Sequence, residues 1–169
     1  IEIHPSGTNT VYITHGSYSN AVNGIYRSVD GGSSFVELTN GLPASYTGKA
    51  LLGRSFSNPD IIYAQAQHGA LLRYDRASGE MTSIQPKPGE NEAEYRWNWD
   101  SPLAVSRHKG TRLYYCANRV YKTEDRGDTW TAISPDLTRN DTTKQGDGGG
   151  PLTGRSGKLD ASLELLDII

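Results

Sequence analysis

Short apolar runs separated by polar turns recur three times along the chain with a constant period. One run in each repeat ends in a tyrosine, at Tyr12, Tyr63 and Tyr114, and both intervals are 51 residues. Each of these runs follows a turn rich in proline, glycine or asparagine, and further short runs flank it on both sides. The pattern predicts about four short strands in every repeat.

The predicted strands form three equivalent sets. Those that precede the tyrosines are 1–3, 50–53 and 103–106, and those that follow them are 24–28, 70–74 and 119–123. The last strands of the repeats are 35–38, 81–84 and 130–133. Four strands that recur at about 40–50 residues are typical of a β-propeller blade. A β-sandwich also has many short strands, but it does not require the same turn chemistry at a fixed period.

We therefore expect an all-β fold, a partial β-propeller of about three four-stranded antiparallel blades. The predicted blades are residues 1–40, 41–88 and 89–141. Residues 142–169 are interpreted as a flexible glycine-rich connector followed by the start of another blade or a short helix. Because a propeller has four or more blades, we expect the chain to be a fragment that is completed by the remaining blades of a parent protein or by self-association.

One turn pattern, Ser/Thr-x-Asp-x-Gly-x-Ser/Thr-aromatic, occurs in the first and third repeats. An aspartate can accept backbone N–H bonds within its own turn, and the glycine permits a positive φ. The hydroxyl residues can bond across the turn, and the aromatic ring is expected to pack at the edge of the blade core. The two copies consist of Ser28, Asp30, Gly32, Ser34 and Phe35, and of Thr123, Asp125, Gly127, Thr129 and Trp130.

The middle repeat departs from this pattern. At the corresponding place the chain reads Tyr74-Asp75-Arg76-Ala77-Ser78-Gly79-Glu80-Met81. The aspartate and aromatic positions of the pattern are predicted to be lost there, so that only a turn around Ser78 and Gly79 remains.

The turn pattern resembles the Asp box (BNR repeat) of sialidases, oligoxyloglucan-active glycosidases and the sortilin ectodomain. The resemblance implies that Asp30 and Asp125 are structural and not catalytic. Three further stretches look like large bacterial BNR-repeat glycosyl hydrolase-like proteins: 88–90, 95–102 and 134–141. This resemblance implies an exported bacterial protein, located outside the cell or in the periplasm or cell envelope, although the chain carries no signal peptide.

The stretch that joins the second and third repeats is the candidate ligand-binding site. Exposed aromatic faces stack on sugar rings, and the polar side chains between them can bind hydroxyl groups. The alternative is that the tryptophans pack between blades and the arginine pairs with a carboxylate. The candidate residues are Tyr95, Arg96, Trp97, Asn98, Trp99 and Asp100.

No catalytic set can be selected from the sequence. Glycoside hydrolysis usually needs two carboxyl groups, and the spacing of Glu92, Glu94 and Asp100 does not single out a pair. Sialidases use a tyrosine nucleophile and an arginine cluster, but Arg54, Arg73 and Arg119 do not match that arrangement.

Composition and charge argue against several other classes of function. A net charge of -2 over 169 residues gives no electrostatic basis for binding nucleic acid, and no apolar run approaches the roughly 20 residues of a membrane helix. The single cysteine, Cys116, cannot form an intrachain disulfide, and its apolar surroundings indicate a structural thiol. The four histidines show no metal-ligand spacing, and we expect neither a metal nor a cofactor.

Three hypotheses about function follow. The favoured one is a fragment of an exported glycan-binding or glycan-processing propeller protein, in which the fragment itself is not catalytic. The alternative is a non-enzymatic propeller scaffold for proteins or peptides, which the sortilin resemblance permits. The third is a structural propeller that has lost its ligand site.

Overall fold

The computed structural model of the protein describes residues 1–3, 9–16, 24–39, 50–66, 69–97 and 101–140. Within these ranges the chain forms twelve β-strands and no α-helix. The strands are short because polar turns interrupt the apolar runs every few residues.

The strands form three four-stranded antiparallel sheets, and in each sheet the spatial order of the strands follows the chain. The first sheet contains β1 (Glu2–Ile3), β2 (Val11–His15), β3 (Gly24–Ser28) and β4 (Val36–Glu37). The second contains β5 (Ala50–Arg54), β6 (Ile61–Ala66), β7 (Leu71–Asp75) and β8 (Glu80–Ser83). The third contains β9 (Leu103–Val105), β10 (Leu113–Cys116), β11 (Val120–Thr123) and β12 (Thr131–Ala132). The fold is a partial β-propeller of three blades, which confirms the predicted fold class.

Strand register confirms that the periodic tyrosines occupy equivalent places. Tyr12 pairs with Arg27 in the first sheet and Tyr63 pairs with Arg73 in the second. In the third sheet Tyr114 pairs with Lys122. A basic residue therefore stands opposite the tyrosine in every blade, at the same step of the ladder between the second and third strands.

The turn between β3 and β4 is organised around Asp30. Its carboxylate accepts hydrogen bonds from the Ser28 hydroxyl at 2.7 Å, the Ser34 backbone N–H at 2.9 Å and the Ser34 hydroxyl at 2.6 Å. The Gly32 backbone N–H donates to the Ser28 hydroxyl at 2.8 Å, and Gly32 has a φ of 95°. These bonds lower the pKa of Asp30, chiefly the one from the Ser34 hydroxyl.

The turn between β11 and β12 has the same set of bonds. The carboxylate of Asp125 accepts the Thr123 hydroxyl at 2.6 Å, the Thr129 backbone N–H at 2.9 Å and the Thr129 hydroxyl at 2.5 Å. Gly127 donates to the Thr123 hydroxyl at 3.0 Å and has a φ of 97°. The two copies of the sequence pattern therefore build one turn geometry twice.

The middle blade keeps an aspartate turn that the sequence pattern did not indicate. Asp75 accepts the backbone N–H groups of Ala77 at 2.8 Å and Ser78 at 3.3 Å. The residue after it, Arg76, donates its N–H to the carbonyl of Asp60 at 2.9 Å. The hairpin has the same length as in the other blades, and Arg76 occupies the position that corresponds to Asp30, so the aspartate position of the pattern is lost as predicted. Asp75, one residue earlier, organises the turn instead.

A shared backbone bond shows that the three turns correspond. In each blade, the residue that follows the turn aspartate donates its N–H to a carbonyl that lies three residues before the periodic tyrosine. The donors are Gly31, Arg76 and Arg126, and the acceptors Asn9, Asp60 and Thr111 are 51 residues apart in both intervals.

The aromatic position of the motif differs between the blades. Phe35 is 38% exposed because it lies at the outer edge of its sheet, so it contributes less to the core than expected. In the middle blade the position is occupied by Met81, which precedes Thr82, the partner of Arg73. Met81 packs against a core cluster and replaces the ring with a flexible apolar side chain.

Two compact units divide the chain. The first holds the first two sheets and the turn Val105–Gly110, and its core cluster consists of Tyr12, Ile62 and Tyr74 with Leu38, Leu52 and Met81 around it. The Thr14 hydroxyl also donates to the Ala50 carbonyl at 2.8 Å, which joins the two sheets by a hydrogen bond.

The second unit holds most of the third sheet and the segment that precedes it. Its core is formed by Leu113, Tyr115, Cys116 and Tyr121, all of which are at least 98% buried. Burial raises the pKa of Cys116 to about 11, which suits a structural thiol and not a nucleophile.

Each sheet falls within one of the predicted blade ranges, although the range boundaries themselves stay predictions. The interpretation of residues 142–169 lies outside the described residues. No helix in the described part of the chain is long and apolar enough to cross a membrane.

Candidate ligand-binding site

Five aromatic rings meet on the third blade and are called the aromatic cluster here: Tyr95, Trp97, Tyr115, Tyr121 and Trp130. Tyr115 and Tyr121 are cross-strand partners on β10 and β11, and both are buried. The ring of Tyr95 lies 4.7 Å from that of Tyr121, and Trp97 lies 5.3 Å from Tyr115, each pair tilted by 33°. Trp130 is 6.4 Å from Tyr115. Since Tyr95, Trp97 and Trp130 are half-buried, they form the accessible part of the cluster.

A glycine of the same unit packs directly on the Trp97 indole. Gly69 has a φ of 77°, and a Cβ atom at this position would overlap the indole ring. Trp97 therefore packs against both Gly69 and Tyr115, as in the packing interpretation of this segment. Only the remaining surface of the indole is open to a ligand.

Arg96 is held by the protein itself. Its Nη2 donates to Asp136 Oδ2 at 2.6 Å and to the Thr138 hydroxyl at 2.5 Å, and its backbone N–H donates to Asn118 Oδ1 at 3.2 Å. The side chain is only 14% exposed. Arg96 therefore pairs with a carboxylate and fixes the segment 95–97 to the blade.

Asp136 is the centre of this polar network. Its Oδ2 also accepts Asn118 Nδ2 at 3.0 Å, while its Oδ1 accepts the backbone N–H of Thr138 at 2.9 Å. Partial burial acts to raise the pKa of Asp136, but the hydrogen bonds from Thr138, Asn118 and Arg96 outweigh it and lower the pKa to about 2. The carboxylate is thus ionised and saturated with donors, which does not suit a general acid.

A second polar group borders the cluster. The Tyr95 hydroxyl donates to Glu92 Oε2 at 2.9 Å, and that oxygen also accepts the Gly89 backbone N–H at 3.1 Å. Arg119 Nη1 lies 3.6 Å from Glu92 Oε1. The Gly89 bond and then the Tyr95 bond lower the pKa of Glu92.

Tyr95 is poorly suited to act as a nucleophile. Burial, followed by the hydrogen bond to Glu92, raises the pKa of its hydroxyl. Because only the phenolate is a good nucleophile, a raised pKa opposes covalent catalysis at this residue. The hydrogen bond between Tyr95 and Glu92 therefore serves to orient the Tyr95 ring.

The structure brings together Tyr95, Arg96 and Trp97 among the predicted ligand-binding residues. Asn98, Trp99 and Asp100 lie outside the described residues, and Glu94 is exposed. Sequence reasoning missed Asn118 and Asp136 as partners of Arg96. The Ser-Pro-Asp-Leu-Thr stretch at 134–138 carried a local signal, since an aspartate two residues before a threonine favours an Asx turn.

The described residues were also compared with the requirements of a metal site. No group of three or more histidine, cysteine, aspartate or glutamate residues is placed there to hold an ion. His108 is exposed in the turn before β10 and His15 is exposed at the end of β2, while His4 and His68 lie outside the described residues.

The lowered pKa values predict how acid affects stability. The folded-state pKa values of Asp125 and Asp136 are both about 2, below the ordinary value of 3.8. For Asp125, partial burial acts to raise the value, and the bonds from Thr123 and Thr129 outweigh it. Both groups therefore stabilise the fold fully above about pH 4, and that contribution is lost as the pH falls towards 2.

Urea unfolding between about pH 5 and pH 2 measures this effect. The Asp136→Asn variant is expected to be less stable than the unchanged chain at pH 5, and the difference should shrink with acidification. If the two curves stay parallel down to pH 2, Asp136 does not carry the proposed linkage.

Comparison with known proteins extends the structural description. No protein-family model matches the chain, and no curated protein matches it. Among solved structures, it is similar to an ancestral GH74 enzyme with a TM-score of 0.55 and 14% identity, over 79% of this chain and 18% of that one. The chain thus spans less than a fifth of that enzyme.

A weaker likeness is to the GH74 xyloglucanase from Xanthomonas campestris. The identity is 13% over 80% of this chain and 30% of that one, and the TM-score of 0.37 is too low to carry an argument. GH74 enzymes are β-propellers. The chain therefore has a propeller fold like that of the ancestral GH74 enzyme.

Proposed function

We propose that the chain is part of an exported glycan-binding or glycan-processing propeller protein with Asp-box (BNR) repeats, and that this part binds sugar without cleaving it. The observation that carries the proposal is the half-buried part of the aromatic cluster, Tyr95, Trp97 and Trp130. Polar groups fixed by the protein adjoin it, since Glu92 bonds to Tyr95 and Arg96 lies between Tyr95 and Trp97 in the chain.

The chemistry of this face suits a sugar ring. The C–H groups of a pyranose pack on indole and phenol faces, while its hydroxyl groups need donors and acceptors in fixed places. The Tyr95 ring is positioned by its hydrogen bond to Glu92, and the chain around it by the bonds of Arg96. Such preorganisation reduces the entropy lost on binding.

The same contacts support a non-catalytic role. A glycosidase acid needs a raised pKa, whereas the pKa values of Glu92 and Asp136 are lowered. Both carboxylates are occupied by donors of this chain. An enzymatic parent would supply its reacting groups from outside the described residues.

Export outside the bacterial cytoplasm is part of the same proposal. It rests on the Asp-box resemblance of the two aspartate turns and on the fold shared with a glycoside hydrolase.

Isothermal titration with neutral oligosaccharides tests the proposal. We expect binding of a β-linked glucan or xyloglucan oligosaccharide to the 169-residue chain, weakened about ten-fold or more by Trp97→Ala and by Trp130→Ala. Phe35→Ala is the matched control, because Phe35 is a half-exposed aromatic residue of the other unit.

Intrinsic tryptophan fluorescence gives an independent measurement on the unchanged chain, so that a folding defect in a variant does not decide the result. Absence of binding across a panel of neutral and charged glycans would overturn the proposal. Binding of a peptide instead would support the scaffold hypothesis. Hydrolysis of aryl glycosides by the chain alone would contradict the non-catalytic assignment.

A further inference from the structure

Two arginines converge on one exposed aromatic ring in the first unit. Phe56 lies in the turn between β5 and β6 and is 41% exposed. The guanidinium carbon of Arg54 is 5.0 Å from its ring centroid, and that of Arg107 is 5.3 Å away. Both distances are within the range of cation–π contacts. We call these three residues the arginine–phenylalanine patch.

The patch is held in place by two linked turns. The buried Ser55 hydroxyl donates to the Gly110 carbonyl at 3.1 Å and accepts the Asn58 backbone N–H at 3.3 Å. Gly110 packs so closely on Ser57 that a Cβ atom would overlap the serine side chain. The turn that carries Phe56 and the turn that carries Arg107 are therefore fixed to each other.

The turn of Arg107 is also ordered internally. The Ser106 hydroxyl accepts the backbone N–H groups of His108 and Lys109, both at 3.2 Å. The patch is consequently assembled before any ligand arrives, which lowers the entropic cost of binding.

The charge around the patch is mostly positive. Residues 53–58 and 105–110 contain Arg54, Arg107, Lys109 and His108 and no aspartate or glutamate. Asp60, at the end of the turn that carries Phe56, is paired with Arg76. Arg107 is exposed, whereas Nε and Nη1 of Arg54 are buried. Arg54 therefore supports the ring from the protein side, and Arg107 presents its donors to solvent.

A guanidinium that stacks on a ring keeps its N–H groups directed along its own plane, where they match the geometry of an oxyanion. The open part of the Phe56 ring provides an apolar surface beside that charge. The combination suits a sugar ring that bears a carboxylate or sulfate group, because the ring packs on Phe56 while the anion bonds to Arg107.

We propose that the arginine–phenylalanine patch binds the carboxylate or sulfate group of an acidic oligosaccharide. This inference rests on the proposed glycan-binding function and adds a charged substituent to the ligand class. It concerns residues of the first unit, whereas the residues of the aromatic cluster belong to the second.

Titration of the 169-residue chain with four probes tests the inference. Pentagalacturonate and a sulfated glucan oligosaccharide are both expected to bind, and their relative affinities show whether the patch prefers a carboxylate or a sulfate group. Cellopentaose is the neutral probe, and penta-glutamate is the acidic peptide probe. Affinity for the acidic sugars should fall as salt rises from about 0.05 M to about 0.5 M, since the charges are exposed to solvent.

Substitutions test whether the arginine–phenylalanine patch is responsible for the binding of acidic sugars. Arg107→Gln is expected to weaken binding of the acidic sugars about ten-fold, the loss of one charge-assisted hydrogen bond, and Phe56→Ala is expected to weaken it as well. Arg112→Gln is the matched control, because Arg112 is a surface arginine paired with Glu124 at 2.9 Å in the other unit. Thermal unfolding of each variant verifies that it is folded.

The outcomes separate this inference from the proposed function. Binding of cellopentaose with no preference for acidic sugars would overturn the patch and leave the glycan proposal standing. Absence of binding to all the sugars would overturn both. Tighter binding of penta-glutamate, lost in Arg107→Gln, would show a peptide site and contradict the inference.

Discussion

Replacing Gly69 with alanine is expected to lower the free energy of unfolding by about 3 kcal/mol and the melting temperature by about 10 °C. Two causes act together at this residue. Its φ of 77° is strained for any residue with a side chain, and the new methyl group would overlap the Trp97 indole. Urea unfolding followed by tryptophan fluorescence measures the loss.

Gly89→Ala is the matched control. Gly89 has no positive φ, and a Cβ atom added there would be 3.8 Å from its nearest neighbour, Glu92 Oε2. The change should therefore alter the free energy of unfolding by less than about 0.5 kcal/mol. A second test is the pair Gly69→Ala and Trp97→Ala, whose combined cost should be smaller than the sum of the two single costs. Equal stability of Gly69→Ala and the unchanged chain would contradict the packing of Trp97 described above.

Replacing Arg96 with methionine is expected to cost about 2 kcal/mol of stability, because it leaves the partly buried Asp136 without its cationic partner. The methionine keeps most of the apolar volume, so the loss reports mainly the lost ion pair. Near-ultraviolet circular dichroism should also change, since the bonds of Arg96 place Tyr95 and Trp97 against the buried tyrosines.

A double-mutant cycle with Asp136→Asn separates the two roles that the sequence left open for Arg96. If Arg96 is structural, the coupling between the two residues should be about 1 kcal/mol or more. Arg112→Met, which removes an exposed ion pair with Glu124, should cost less than about 1 kcal/mol. Full stability of Arg96→Met, with only ligand affinity reduced, would show that Arg96 serves a ligand.

The sequence was sufficient to predict the blades because their signal is periodic. The tyrosines 51 residues apart identified equivalent ladder steps, and the predicted strand 24–28 matches β3 residue for residue. Short apolar runs between glycine and proline turns leave few alternatives when the same order of elements recurs three times.

The site was less predictable because its contacts are distant in sequence. Arg96 and Asp136 are 40 residues apart, and nothing in the local pattern of either residue indicates the other. The unusual composition of 95–97 did locate the aromatic cluster, but the sequence alone could not show that Tyr115, Tyr121 and Gly69 already contact part of the ring surfaces.

The middle blade shows why a sequence pattern of fixed spacing does not detect a turn that keeps the shared backbone bond. Asp75 forms an aspartate turn one residue before the position that the pattern specifies, so the bond from Arg76 to Asp60 is what shows that the turns correspond. The role of Met81 was equally hard to recognise from the sequence. Its flexible apolar side chain packs against the core cluster at the position where the other blades have an aromatic residue.

The displaced aspartate of the middle blade shows where repeats of this kind vary in length. The carbonyls that accept the shared bond keep a strict interval of 51 residues, whereas their donors Gly31, Arg76 and Arg126 are separated by unequal intervals. Insertions and deletions are thus absorbed between the second and third strands, while the hairpin between the third and fourth strands keeps its length in every blade. Searches for such repeats should therefore start from the second strand with its tyrosine and allow the position of the turn aspartate to vary.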